Sequence, residues 1–343
     1  MSQPSSLDPL FDSALSRSLD EHDRNLWRAI REQAIGGKRF RPRLLLSVYR
    51  ALGGTDELSA GFVADAVELF HTTFVIHDDV IDGDQLRRGK PNVTGTFSAR
   101  AIAAGAPQAQ AHRYGETAGI LAGDLALAGA MRNIAMCGAK PDVMSRLLDL
   151  VDLVLHRSAA GELADVRVSF TGADLSDVLD IAAWKTSAYS FELPMQAAAI
   201  LAEADEHVIS DLGQAGRDVG IAFQLLDDLD GVFASPDQTG KDPLSDLREG
   251  KFTALMVFAR STSQWDDLSR YVGRADLTLA EAGRARTLLT ESGARDSVLA
   301  LAGDYRRSAL ASAARLPGDA SDVVTAAIDQ ILGTQASAHG VAS

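Results

Sequence analysis

Along nearly the whole chain, apolar residues recur at intervals of three and four, the period of a helix with one buried face. No run alternates as a half-buried strand must, and no strand–helix–strand pattern is present. Leu58–Ile81, Ala118–Met136, Val143–Leu155, Leu175–Ala202 and Val208–Val232 each predict a helix of several turns. Leu279–Leu289, Ser297–Ala314 and Asp319–Leu332 carry the pattern into the C-terminal part. Aromatics are only 6% of the residues, which favours helices packed on small side chains over a sandwich built from aromatic and β-branched ones. Gly53-Gly54, Gly89-Lys90-Pro91, Ala103–Gln108 and Ala234–Pro243 mark loops, none long or polar enough for a flexible linker. The expectation is an all-α fold, one domain over residues 1–343, with disordered ends at 1–6 and 334–343.

A formal net charge of −14 argues against a nucleic-acid surface, which needs a basic excess. An acidic chain can still hold phosphates where cations converge or metal ions mediate. Cys137 is the one cysteine, so neither an intrachain disulfide nor a cysteine-based metal site can form, and its apolar setting predicts a small buried hydrophobe. The start of the chain lacks the basic and apolar regions of a signal peptide. No window of 18 residues is uninterruptedly apolar, so no membrane span is expected and the cytoplasm is the default.

The sharpest local signal is His77-Asp78-Asp79-Val80-Ile81-Asp82-Gly83-Asp84, which ends a very apolar helix. Acids this crowded beside Phe70, Phe74, Val75 and Ile76 are costly unless something positive neutralises them. Asp78 and Asp82 are four apart and share a helix face, an arrangement suited to Mg²⁺, which takes a few carboxylates and completes its shell with water and phosphate. Alone, such a cluster could equally be a solvated helix end. A second one, Phe223-Gln224-Leu225-Leu226-Asp227-Asp228-Leu229-Asp230, repeats the design, and two such ends can face one cavity. Cations stand near both: Arg87-Arg88 after the first, Lys241 and Lys251 after the second, and Lys38 and Arg41 in Gly36-Gly37-Lys38-Arg39-Phe40-Arg41-Pro42. Acids that collect metal, with Lys and Arg that take phosphate directly, describe a diphosphate site.

These motifs, in this order, resemble the trans-isoprenyl diphosphate synthase (polyprenyl synthetase) family, most of all bacterial geranylgeranyl diphosphate synthases. The resemblance rests on GGKRFRP, HDDVIDGDQLRRGKP, WKT at Trp184–Thr186, FQLLDD and the TGKD…SDLREGK stretch. It implies a bundle of about ten or more helices around a central cavity, three Mg²⁺ per site and a homodimer. It implies, too, joining an allylic diphosphate (C5 to C15) to isopentenyl diphosphate. By the same resemblance, Asp78 and Asp82 would ligate two Mg²⁺ with Asp79 in support, and Asp227 would hold the third with Asp228 close by. Arg87, Lys185 and Lys241 would grip the allylic diphosphate, and Lys251 would help close the site. Lys38, Arg41, His71 and Arg88 would hold isopentenyl diphosphate, while Thr186 and Gln224 would line the path of the reacting carbons. His71 lies two turns before Asp78 on one face, which favours that role over core packing.

Three departures stand out. The last acid expected in the second motif is Gly231, and Asp230 beside it points about 100° away on a helix. Glu162 stands where Gln is more usual, and Arg100–Gln110 suggests an enlarged loop. Product length turns on Phe74, four residues before Asp78, on the small Thr73 beside it, or on the deeper Phe70. A C20 product is favoured, with C15 and longer chains as alternatives. A class I terpene cyclase would not need Lys38, Arg41 and Arg88, a regulatory subunit tends to lose the aspartates, and a phosphohydrolase would want more ligating histidines than this chain offers.

Overall fold

The computed structural model describes residues 7–35, 37, 39–87, 89–234 and 245–338, with side chains at 245 and 334–338 left aside. It is all-α apart from one small hairpin. By contact density the chain divides into two compact units, Met1–Leu148 with Ile200–Glu203, and Asp149–Ala199 with Ala204–Ser343.

In the first unit, α1 (Leu7–Ser16), α2 (Glu21–Ile35) and α3 (Phe40–Ala51) lead to α4 (Glu57–Ile81). Asp56 caps α4 by accepting from the Ser59 N–H, and Val63, Ala66, Val67, Leu69, Phe70 and Ile76 are buried along it. β1 (Leu86–Arg87) and β2 (Lys90–Pro91) follow, then α5 (Val93–Ala103) and α6 (Gln108–Ala135). The two strands pair antiparallel around Gly89 at φ 73°, a hairpin too short for any alternation to register in the sequence. The expected enlarged loop at Arg100–Gln110 is also absent: α5 and α6 run into it from both sides and leave only 104–107 non-helical.

Helix α6 presents small residues to α4 and α5. A Cβ at Gly123 would lie 2.1 Å from His77 Nε2, and one at Gly119 would lie 2.4 Å from Val80 Cγ2. The C-terminal end of α4, where the acids begin, therefore rests directly on the α6 surface. By length and composition α4 could cross a membrane, but 72% of its most apolar window is buried inside the protein, as in a core helix. Cys137 is buried and unpaired with any other cysteine, as expected.

In the second unit, α7 (Pro141–Thr171, its first turns in the first unit) continues well past the predicted end at Leu155. The predicted helix Leu175–Ala202 is three segments in continuous succession: α8 (Leu175–Ile181), a π-helix (Ala182–Glu192) and α9 (Leu193–Leu201). Next come α10 (Glu206–Phe233), α11 (Ser245–Glu249), α12 (Ala254–Arg260), α13 (Trp265–Leu268), α14 (Leu279–Glu291), α15 (Ala294–Ala313) and α16 (Asp319–Ala338). Buried Asp218 on α10 accepts from Ser308 Oγ of α15 at 2.7 Å and from Gln214 Nε2 at 2.9 Å, so its charge is met by donors inside the packed pair. Of the expected loop Ala234–Pro243, residues 235–243 lie outside the described residues, as do 1–6 and 339–343 of the expected disordered ends, whereas 334–338 belong to α16.

Candidate active site

The acids of the first cluster leave α4 at different depths. Asp78 is part-exposed, Asp79 is 2% exposed, and Asp82 is the exposed C-cap whose N–H donates to the Asp78 carbonyl at 2.8 Å. Because Asp82 keeps right-handed helical angles, its four-residue spacing from Asp78 holds as on a continuous helix. The hairpin after the helix returns Arg87 onto them. Its Nε and Nη2 donate to Asp79 Oδ1 at 2.8 and 2.6 Å, and Nη2 also reaches Asp78 Oδ2 at 3.4 Å.

Burial nevertheless pushes the Asp79 carboxyl above its ordinary range, against the pull of Arg87. Its second oxygen, Oδ2, is buried with no hydrogen-bond partner. A buried carboxylate oxygen with no donor, beside two more carboxylates, fits a hard divalent cation.

Other residues expected in this half are placed as follows. His71 and Phe74 on α4 are half-buried, and Phe70 is 1% exposed. Thr73 is buried, its hydroxyl donating to the Leu69 carbonyl and lying 3.3 Å from the carbonyl of Gly123, so it is turned toward α6. Arg41 is in the first turn of α3, its guanidinium 5.0 Å from the Phe40 ring. Just before it, Arg39 adopts left-handed angles (φ 46°) and pairs with buried Asp65 of α4, a tie that no local pattern announces. Lys38, Arg88 and Lys241 lie outside the described residues.

The second unit brings together Lys185, Thr186, Gln224, Asp228 and Lys251. Thr186 Oγ1 donates to Gln224 Oε1 at 2.7 Å, and Gln224 Nε2 donates to Asp228 Oδ1 at 2.9 Å. Lys251 Nζ stands 3.5 Å from the same Asp228 oxygen. Burial raises the Asp228 carboxyl to about 6, with Lys251 drawing it down, and that lysine is held firmly charged by Asp228. Asp228 is thus occupied internally, while neighbouring Asp227 is half-buried.

Lys185 Nζ is bonded to Asp165 Oδ2 at 2.7 Å and Glu162 Oε1 at 3.1 Å. Gly161 lets α7 lie close against the π-helix that carries Lys185: a Cβ there would lie 2.5 Å from the Lys185 nitrogen. Asp165 escaped the sequence reading as a site residue, although it stands three positions after Glu162, on one face of α7.

Residues 24–285 match the polyprenyl synthetase family. The chain belongs to that family. It is a prenyl-transferring enzyme of the short-chain isoprenyl diphosphate synthase type. A geranylfarnesyl diphosphate synthase of Aeropyrum pernix is 31% identical over 287 residues, covering 82% of this chain and 84% of that one. A geranylgeranyl diphosphate synthase of Mycobacterium tuberculosis is 32% identical over 277 residues, covering 78% and 72%. The crystal structure of geranylgeranyl pyrophosphate synthase from Corynebacterium glutamicum, complexed with isoprenyl diphosphate and magnesium, matches the synthase with a TM-score of 0.87. That match is 26% identical and covers 95% of this chain and 96% of that one.

Proposed function

We propose that this synthase condenses an allylic diphosphate with isopentenyl diphosphate head-to-tail, releases pyrophosphate, and stops at C20, geranylgeranyl diphosphate. The observation that carries the diphosphate chemistry is the end of α4: Asp78 and Asp79 under Arg87, Asp79 with a buried partnerless oxygen, and Asp82 one turn beyond Asp78. The C20 product is favoured by relatives named for it, and the geranylfarnesyl synthase among them keeps C25 as the alternative.

In this reading Asp78 and Asp82, supported by Asp79, and Asp227, with Asp228 beside it, hold Mg²⁺, three ions per site. The magnesium-bound neighbour supports that choice of ion. Mg²⁺ would neutralise the diphosphate and make pyrophosphate a better leaving group. Arg87, Lys185 and Lys241 grip the allylic diphosphate, Lys251 helps close the site, and Lys38, Arg41, His71 and Arg88 hold isopentenyl diphosphate. The allylic C–O bond breaks with its electron pair leaving on pyrophosphate. The isopentenyl double bond then attacks the cation, and a proton departs to pyrophosphate. Thr186 and Gln224 border the reacting carbons, and the apolar side chains of α4 exclude water from the cation.

The enzyme works as a homodimer in the cytoplasm. The dimer is supported by exposed apolar side chains on α6 and α7.

Purified protein incubated with labelled isopentenyl diphosphate and each of the C5, C10 and C15 primers should yield a C20 product only when Mg²⁺ is present. Asp78→Ala should lower turnover by several orders of magnitude while the protein stays folded, because removing one of several crowded acids relieves repulsion. Phe74→Ala should lengthen the product by one or more C5 units, at a stability cost below the roughly 3–5 kcal/mol of a fully buried ring. Near-normal turnover in Asp78→Ala at saturating Mg²⁺ would overturn the site, and a C15 or C25 main product would overturn the chain length.

A further inference from the structure

The second aspartate cluster has a gap on α10 that another segment fills. Asp227 and residue 231 are one turn apart on the same face, and residue 231 is glycine. A Cβ built at Gly231 would lie 2.0 Å from Oδ2 and 2.8 Å from Cγ of Asp246. The carboxylate of Asp246 therefore occupies the space that the side chain of an acid at 231 would take. Asp230, the acid next to the gap in sequence, points about 100° away around the helix.

Asp246 is held there by the anchoring of its short helix. Leu247 is fully buried, and its carbonyl accepts from the Gly273 N–H at 2.8 Å. Arg248 donates through Nε and Nη2 to the Leu277 carbonyl at 3.3 and 2.8 Å. The Lys251 N–H donates to the Asp246 carbonyl at 3.1 Å, so the same turn that presents the acid also directs Lys251 to Asp228. Glycine at 231 and aspartate at 246 are thus complementary: any side chain at the first would displace the second.

We propose that Asp246 supplies, from α11, the carboxylate missing from the second motif at Gly231, and that it acts with Asp227 on the magnesium that the diphosphate brings in. This rests on the function proposed above.

The test reads binding, not turnover: the Mg²⁺ concentration at which inorganic pyrophosphate half-maximally raises the melting temperature of the full-length protein. Asp246→Asn should raise that concentration about 10–100-fold. Combining Gly231→Asp with Asp246→Gly should bring it back toward the parent value, because the acid then comes from α10. Asp230→Asn should leave it unchanged. If Asp246→Asn melts early without ligand, Asp246→Glu keeps the charge, and a parent-like Mg²⁺ requirement in it supports the role. A requirement unmoved in Asp246→Asn, or moved instead by Asp230→Asn, overturns this inference and leaves the function standing. No Mg²⁺-dependent stabilisation of the parent protein would overturn both.

Discussion

Lys185 has its ammonium shared between Glu162 and Asp165. In the role proposed for it, an arriving diphosphate would have to draw it from two carboxylates. Lys185→Ala should therefore impair use of the allylic primer, whereas Arg41→Ala should raise the KM for isopentenyl diphosphate. Glu162→Gln keeps the shape and removes one competing charge, so it should lower the KM for the allylic substrate and leave that for isopentenyl diphosphate unchanged. Steady-state kinetics with each substrate varied in turn separates these outcomes, and equal effects on both substrates would undo the division of roles. At this scale the sequence was most legible where like charges crowd together, as at Asp78, Asp79 and Asp82, which stand at the end of α4 as their spacing predicts. It was least legible where partners are distant: neither Arg39 with Asp65 nor Gly231 with Asp246 follows any helical or turn spacing.

Among the elements, the π-helix determines the most. It is squeezed from both sides: a Cβ at Gly161 of α7 would lie 2.5 Å from Lys185 backbone, and one at Gly220 of α10 would lie 2.3 Å from Ser187 Oγ and 2.6 Å from its Cα. A methyl at either position meets atoms that cannot swing away. Gly220→Ala should destabilise the fold by about 1–3 kcal/mol through overpacking. Gly161→Ala, whose clash falls on Lys185 itself, should also raise the KM for the allylic primer. Denaturant unfolding together with kinetics would test this, and parent-like stability and KM in both variants would show that the close approach has no consequence. The apolar period revealed a helix from Leu175 to Ala202, but not that its middle is π. The residues that crowd it, Gly161 on α7 and Gly220 on α10, are distant in sequence, and the i→i+5 bonding has no residue signature of its own. The long α6 and α7 were each foreseen only in part, because α6 begins with the polar run Gln108–Thr117 and exposed residues interrupt the apolar face of α7.

For the whole molecule, a net charge of −14 repels a substrate that is itself an anion, so binding must rely on the few places where Lys, Arg and metal outweigh the acids. The same acidic surface makes its apolar interruptions notable. On α7, Leu163, Val166 and Phe170 are 73%, 44% and 76% exposed, and their spacing of three and four places them in one stripe along a single helix face. On α6, Ile120 and Leu121 are each 49% exposed. Apolar side chains set in rows on helices, not scattered singly, are what a partner covers. A second copy of this chain is the partner proposed here, so sedimentation equilibrium should return about twice the 36.3 kDa of one chain. Placing charge in the α7 stripe with Leu163→Glu and Phe170→Glu together should shift the protein toward 36.3 kDa, because an unpaired carboxylate buried between helices costs several kcal/mol. Both residues are exposed in a single chain, so the variant should keep the parent's helical content by circular dichroism. A parent protein that sediments as one chain at micromolar concentration would rule the dimer out. A variant that remains dimeric would move the interface away from this stripe, and Leu121→Glu would then ask the same question of α6.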